Sequence, residues 1–193
     1  MKLLLTFLFS SIIMTTINAQ DNTLPYYQIP DYPESYTAGA VAARMVDGLG
    51  FRYYWASEGL RDEDLAYKPS EEGRTAGETI DHIYGLSKVI VNATLNQANT
   101  ASDEGEMSFE EKRKRTLENI KKASDILRES EDISQYKLIF SRGGNTSEYP
   151  FWNNINGPIA DALWHCGQVV LLRRASGNPF NSKVSVFNGK VRD

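Results

Sequence analysis

The stretch GPIADALWHCGQVVLLRRASG, residues 157–177, has the spacing of one long apolar helix with three polar side chains in its first half. At about 100° per residue, Asp161, His165 and Gln168 fall within roughly 60° of one another on a helix. Because the other directions are apolar, we expect a helix buried nearly all round. Polar groups desolvated in such a helix need partners, one another, or an ion.

A first helix is predicted well before this stretch, over residues 35–58. Apolar side chains recur there at every fourth position, namely Val41, Met45, Leu49 and Tyr53. This spacing predicts a helix with that stripe facing the core. The polar segment between this helix and the next is predicted to be a connecting loop.

Two capping boxes mark the start of two more helices. Thr75 with Glu78 opens an apolar helix that we expect to reach about Asn96. Ser108 with Glu111 opens a charged helix with a sparse apolar face, which should lie on the outside of the protein.

The remaining segments have a β-like pattern. Residues 132–156 contain two short runs around Gly143-Gly144, which predict a small hairpin. The tail, residues 181–193, contains an Asn-Gly turn and could add a strand pair. The predicted fold is therefore all-α, a four-helix bundle with a small β-hairpin between helices 3 and 4 and a short β-like C-terminal tail.

The first residues predict export. Residues 1–19 combine one Lys, an apolar run and a small residue at the end, as secretory signal peptides do. An extended arm rich in Pro and Tyr is predicted over residues 20–34, and one domain over residues 35–180. We therefore expect a periplasmic or secreted protein.

Composition restricts the partners. The chain has 21 Lys and Arg against 25 Asp and Glu, a formal net charge of −4, which argues against a nucleic-acid or anionic-membrane partner. After residue 19 no apolar segment approaches the length of about 20 residues that a membrane span needs. The single cysteine, Cys166, excludes an intrachain disulfide. A small-molecule substrate and a homodimer are compatible with this composition.

The two histidines of the chain, His82 and His165, each lie in the first half of an apolar helix. If these helices are neighbours with those ends together, His82 meets Asp161 and His165. Two imidazoles and one carboxylate suit one divalent transition metal, such as Zn, Ni, Fe or Mn, and leave coordination positions open. The alternative is a buried polar cluster whose members satisfy one another.

Two segments resemble the DinB/YfiT-like superfamily of metalloenzymes, and the resemblance covers residues 35–180. They are ETIDHIYGL around His82 and ALWHCGQVVLLRRASGNP around His165. In that family a His of the second helix joins an H-x-x-x-H pair of the fourth, which is followed by Gly-Gln, an Arg and Gly-x-Pro. The chain departs from this pattern at Asp161, which stands where the first His of the pair would be. The matching residues are Gly167, Gln168, Arg173, Gly177 and Pro179, together with the Tyr67-Lys68-Pro69 run before the second helix.

The resemblance implies a divalent metal held by His82, Asp161 and His165, and either an enzyme or a degenerate, non-catalytic relative. Relatives include transferases and isomerases that use small cellular thiols, and export favours hydrolysis by a metal-activated water instead.

Four residues near the candidate ligands were also considered, and two of them have alternative roles. Gln168 either supports a metal ligand or packs, and Glu78 either acts as a catalytic base or only caps its helix. Asp81 should be a solvated acid, and Cys166 a small core residue.

Overall fold

The computed structural model describes residues 24–101 and 104–193, which are mostly helical with a few short strands. They also include a 3-10 turn (Ile133–Gln135) and a π-helical turn (Ile155–Ile159). The predicted signal peptide, residues 1–19, lies outside the described residues. In chain order the elements are α1 (Ala38–Ser57), α2 (Asp62–Ala66), α3 (Ala76–Thr94), β1 (Ala98–Asn99), α4 (Phe109–Arg128), β2 (Lys137–Arg142), β3 (Asn145–Pro150), α5 (Trp152–Asn154), α6 (Ala160–Ala175), β4 (Val184–Ser185) and β5 (Lys190–Val191).

The helix starts follow from their caps. The Thr75 hydroxyl accepts from the Glu78 N–H at 3.0 Å, and the Glu78 carboxylate accepts from the Thr75 N–H at 2.7 Å. This capping box opens α3, as the sequence predicts. At α4 only half of the predicted capping box is present: the Ser108 hydroxyl accepts from the Glu111 N–H at 3.2 Å, but the Glu111 carboxylate pairs with Arg115 at 2.6 Å instead of with the Ser108 N–H.

The four long helices enclose one apolar core. Helix α1 contacts α4 and α6, and α3 contacts the same two helices. The charged helix α4 packs its apolar stripe of Leu117, Ile120 and Leu127 inward and leaves its charged face outside. The largest fully buried apolar side chains from these four helices are Tyr53, Phe51, Leu49, Ile80, Ile83, Ile90, Leu117, Ile120, Leu127, Val46 and Val169.

The stripe predicted for α1 is only half right. Leu49 and Tyr53 are fully buried, but Val41 is 46% exposed and Met45 is 38% exposed. Residues four apart advance about 400° around a helix, so the stripe drifts about 40° at each step. Val46, which follows Met45, is fully buried in the core instead.

The helix predicted over 157–177 is wrong in two respects. It starts later than predicted, because Pro158 lies inside the π-helical turn that precedes α6. It is also not buried all round, since Trp164 is 72% exposed and Leu171 is 64% exposed. The long helices that α6 contacts are α1 and α3, so its far side has no long helix over it.

The predicted hairpin is present as β2 and β3. These strands pair antiparallel, and Arg142 lies opposite Asn145 at the turn. The two turn residues, Gly143 and Gly144, have φ of 56° and 82°, as a tight two-residue hairpin requires. Strand β1 adds in parallel on the other edge of β2.

The polar connection after α1 contains the short helix α2, which the sequence analysis did not predict. Its Asp64 is fully buried and accepts hydrogen bonds from Arg61, Ser176 and Asn178. The local sequence does not predict this burial, because two of the donors, Ser176 and Asn178, lie more than a hundred residues further along the chain.

The arm and the tail pack on the helices. The Tyr26 hydroxyl donates to the buried Asp47 carboxylate of α1 at 3.1 Å, and the Ile29 N–H donates to the Gly189 carbonyl at 2.9 Å. The tail forms the predicted strand pair, β4 with β5. Across residues 24–101 and 104–193, none of the helices has the length and apolar character that crossing a membrane requires.

Candidate metal centre

Helices α3 and α6 bring the predicted ligands together. His82 lies in the second turn of α3, and Asp161 and His165 lie one turn apart at the start of α6. These two helices contact one another, with the two N-terminal parts adjacent. We call His82, Asp161 and His165 the triad.

The triad is compact. His82 Nε2 lies 3.1 Å from Asp161 Oδ2, and His165 Nε2 lies 3.3 Å from Asp161 Oδ1. The two imidazole rings are perpendicular, with centroids 4.6 Å apart. One ligand atom from each residue lies within 4.8 Å of the other two, so the three could hold a metal ion.

The triad is not the buried cluster that the sequence predicts. The side chains of His82 and Asp161 are 38% and 41% exposed, and that of His165 is 14% exposed. The carboxylate therefore faces solvent on one side and the imidazoles on the other. An ion bound here would keep a side from which water or a small molecule could approach.

Gln168 lies within hydrogen-bond distance of His165. Its Oε1 atom lies 2.7 Å from His165 Nδ1. In the tautomer that carries the proton on Nδ1, the ring donates to this oxygen and Nε2 of a neutral ring has a free lone pair for a metal. In the other tautomer, Nε2–H donates to the Asp161 carboxylate directly.

A divalent metal fits this donor set. Zinc binds imidazole nitrogen and carboxylate oxygen at about 2.0–2.1 Å, which puts tetrahedral ligands roughly 3.3 Å apart. The contacts of the two histidines with Asp161, at 3.1 and 3.3 Å, are close to that separation, and each uses a different carboxylate oxygen. A metal-bound His usually donates its other ring N–H to an oxygen acceptor, and Gln168 Oε1 is positioned to accept from His165 in this way.

Glu78 is committed to its helix cap. It lies one turn before His82, and its carboxylate accepts from the Thr75 N–H. The hydrogen bonds from the Thr75 backbone and hydroxyl hold the pKa of Glu78 below its ordinary range. A weaker base is a poorer proton acceptor, so these bonds favour the capping role over the catalytic one.

Asp81 and Cys166 lie outside the triad, as predicted. Asp81 is exposed and pairs with Lys112 at 2.6 Å. Cys166 is 2% exposed, and burial raises the pKa of its thiol to about 12. The thiol is therefore neither a ready nucleophile nor a metal ligand here.

Two features beside the triad were not predicted from the sequence. An open depression of about 560 Å³ adjoins His82 and includes the cationic side chains of Lys68 and Arg74. Trp164, an exposed aromatic on α6, lies one turn from Asp161. Trp164 was expected to be buried, because the whole helix was predicted to be buried. The position of Lys68 and Arg74 could not be predicted, because their loop has no hydrophobic periodicity.

Comparison of the chain with protein-family models, curated proteins and solved structures finds no significant match.

Proposed function

We propose that this chain binds one divalent transition metal through His82, Asp161 and His165, and acts as a metal-dependent enzyme of hydrolase or transferase type. The observation that carries the proposal is the triad, whose nitrogen and oxygen atoms lie at ligand separations and are partly open to solvent.

We further propose that the protein is a DinB-like four-helix bundle. Two observations support this: the order of helix contacts, in which α1 and α3 each contact α4 and α6, and the motif residues around His82 and His165. Asp161, in place of the family's histidine, is a competent ligand, and it shifts the metal preference toward ions that accept oxygen donors.

The residues of the chain would have separate tasks in this site. His82, Asp161 and His165 would hold the ion, and Gln168 would keep Nε2 of His165 free to bind it. A divalent ion held there would supply Lewis acidity to a water, a thiol or a substrate oxygen. The exposed sides of His82 and Asp161 leave room for a small-molecule substrate.

Export, which we propose from residues 1–19, favours hydrolysis over thiol transfer. The small thiols that serve as co-substrates are abundant in the cytosol, whereas water is present everywhere. A hydrolytic reaction on a small molecule is therefore the reaction class that suits a periplasmic or secreted protein best.

One observation favours a second candidate, a non-catalytic metal-binding module. The proposed catalytic base, Glu78, is engaged in the cap of α3 and its pKa is lowered. An enzyme would then need a base from solvent, the substrate or another residue.

Cobalt substitution tests the enzyme proposal against this alternative. The chain, produced by export and without a histidine tag, is loaded with Co²⁺, and its visible absorption spectrum is recorded with and without azide. An open coordination position predicts a spectral change on azide addition, together with turnover of ester, amide or phosphate substrates that His165→Ala abolishes. A cobalt spectrum insensitive to azide and to a small thiolate would contradict the enzyme proposal and leave a closed binding module.

A further inference from the structure

A second candidate site lies on the opposite side of α6 from the triad. A groove of about 430 Å³ runs there between α6, α1 and the C-terminal segment. Its α6 residues Leu163, Cys166 and Val170 point about 140–180° away from Asp161 around the helix axis. The groove shares no lining residue with the triad.

The walls of the groove are mostly apolar. The tail contributes Phe180, Val184 and Val186, and α6 contributes Leu163 and Val170. Val186 remains 44% exposed, so this apolar surface is only partly covered. Its volume lies within the range of about 300–1,000 Å³ in which small-molecule sites fall.

Two arginines border this apolar groove without a carboxylate partner. Arg52 Nη1 donates to the Gly48 carbonyl at 3.0 Å, and Arg174 is exposed near the end of α6. Within residues 24–101 and 104–193, neither guanidinium forms an ion pair. Four other arginines each contact a carboxylate, namely Arg61, Arg113, Arg115 and Arg128.

None of the described residues that line the groove is acidic. The chain has more Asp and Glu than Lys and Arg, yet none of these acids faces Arg52 or Arg174 in the groove. Guanidinium groups bind carboxylates through paired charge-assisted hydrogen bonds. An apolar groove bordered by two such donors is complementary to an anion with an aliphatic chain.

We propose that this groove binds a single-chain amphipathic carboxylate of the medium-chain fatty-acid type. The aliphatic chain would lie along Leu163, Val170 and Val184, and the carboxylate would accept from Arg52 and Arg174. A free acid suits the site better than a lipid surface, because the groove has the volume of a small-molecule site, about 430 Å³, and the protein as a whole is acidic. The proposal goes beyond the metal-dependent function and does not depend on it.

Gly167 provides a way to fill the groove without disturbing the core. It lies among the lining residues, and a Cβ built on it meets no heavy atom within 4 Å. A leucine at this position would project into the groove. Glycine is also a poor helix former, so Gly167→Leu should not reduce helix stability.

Isothermal titration calorimetry with decanoate tests the proposal. The chain is titrated below the micellar concentration, with and without EDTA, so that binding to a metal at the triad is separated from binding in the groove. Decyltrimethylammonium, which has the same chain and the opposite charge, is the ligand control. The variants are Arg52→Gln, Arg174→Gln and Gly167→Leu, and Arg142→Gln on the hairpin is the matched arginine control.

We expect one decanoate per chain, unaffected by EDTA, and no binding of decyltrimethylammonium. Each groove arginine variant should weaken binding roughly tenfold, Gly167→Leu should abolish it at an unchanged or raised melting temperature, and Arg142→Gln should leave it unchanged. The proposal is overturned if decanoate binding disappears with EDTA, if both detergents bind alike, or if the groove variants bind as the parent does. Binding only to anionic vesicles, with no decanoate binding, would equally overturn it.

Discussion

Two carboxylates of the described residues, Asp64 and Asp161, have surroundings that are opposite in character. Asp64 is fully buried, and both of its oxygens accept from donors of this chain, at 2.9 Å from Arg61, 2.6 Å from Ser176 and 2.7 Å from Asn178. Asp161 is 41% exposed and faces two imidazoles. The first cluster has all its partners within the fold, whereas Asp161, in the part of the chain that the structure describes, contacts only the two imidazoles and is open to solvent on its other side.

This difference separates a structural cluster from a ligand site. A fully satisfied buried network joins segments of the fold and has no capacity left for a ligand. At Asp64 the network joins α2 to the end of α6, through Arg61 and Asn178. A half-exposed set of nitrogen and oxygen acceptors stabilises the fold little by itself and gains its partner from outside.

The largest expected effect is on stability at Asp64. We expect Asp64→Asn to lower the free energy of unfolding by about 3 kcal/mol at neutral pH, because buried donors lose a charged acceptor. Asp161→Asn, the matched change in the exposed cluster, should cost less than about 1 kcal/mol in metal-free protein. Urea denaturation monitored by circular dichroism measures both. Equal losses would show that the triad is structural too.

The pH dependence of the Asp64 contribution has a definite sign. Hydrogen bonds, those from Arg61 first, hold the folded-state pKa of Asp64 well below its ordinary range. A lowered pKa stabilises the fold above the unfolded value of about 4, and this contribution is lost as the pH falls toward the folded value. The stability difference between the parent and Asp64→Asn should therefore shrink on titration from pH 5 to pH 2. A difference that grows in acid would contradict the assignment.

Metal binding should stabilise the chain through the triad alone. At a Zn²⁺ concentration about a hundred times the dissociation constant, linkage predicts a gain of about 2.7 kcal/mol, or roughly 5–10 °C in melting temperature. The gain should vanish in His82→Ala and His165→Ala and persist in Asp64→Asn. Differential scanning fluorimetry with and without EDTA measures it, and a gain that survives both His variants would locate the metal elsewhere.

The Gln168 contact should tune the metal affinity without supplying a ligand. Replacing this acceptor with Leu removes the bond that fixes the His165 tautomer, so we expect affinity to fall about 10–100-fold. Gln168→Glu keeps an acceptor at the same distance and should retain most of the affinity. Competition with a chromophoric chelator gives both constants. Parental affinity in Gln168→Leu would mean that the amide only packs.

The smallest effect concerns Cys166, which is a core residue in this account. Cys166→Ala should cost about 1 kcal/mol of stability and leave the metal stoichiometry unchanged. Because burial raises its thiol pKa to about 12, the native protein should not react with a thiol reagent at pH 8, while the urea-unfolded chain should. Rapid labelling of the native chain would contradict this.

Local signals in the sequence were sufficient for most helices and for the hairpin. The Thr75 and Glu78 pair identifies the start of α3, and Gly143-Gly144 identifies the turn between β2 and β3. These features depend on neighbours within a few residues of one another, which is the range over which a single sequence is informative. The triad was also predictable, because its candidate ligands are scarce and two of them share one helix face.

Features that depend on long-range packing were not predictable. Whether Trp164 is covered depends on which helices surround α6, and whether Asp64 is buried depends on Ser176 and Asn178, more than a hundred residues later. The periodicity of a helix gives its apolar directions but not the number of neighbours that cover them. For the same reason the triad was expected to be buried, whereas it is half-exposed.

Elemental analysis by mass spectrometry tests the central claim most directly. The chain is produced by export without a histidine tag, beside Asp161→Ala and His165→Ala, with circular dichroism to verify folding. We expect about one equivalent of a divalent transition metal in the parent and its loss in both variants. A folded parent that takes up no metal, even after anaerobic reconstitution with Zn²⁺, Ni²⁺, Fe²⁺ and Mn²⁺ in turn, would contradict it.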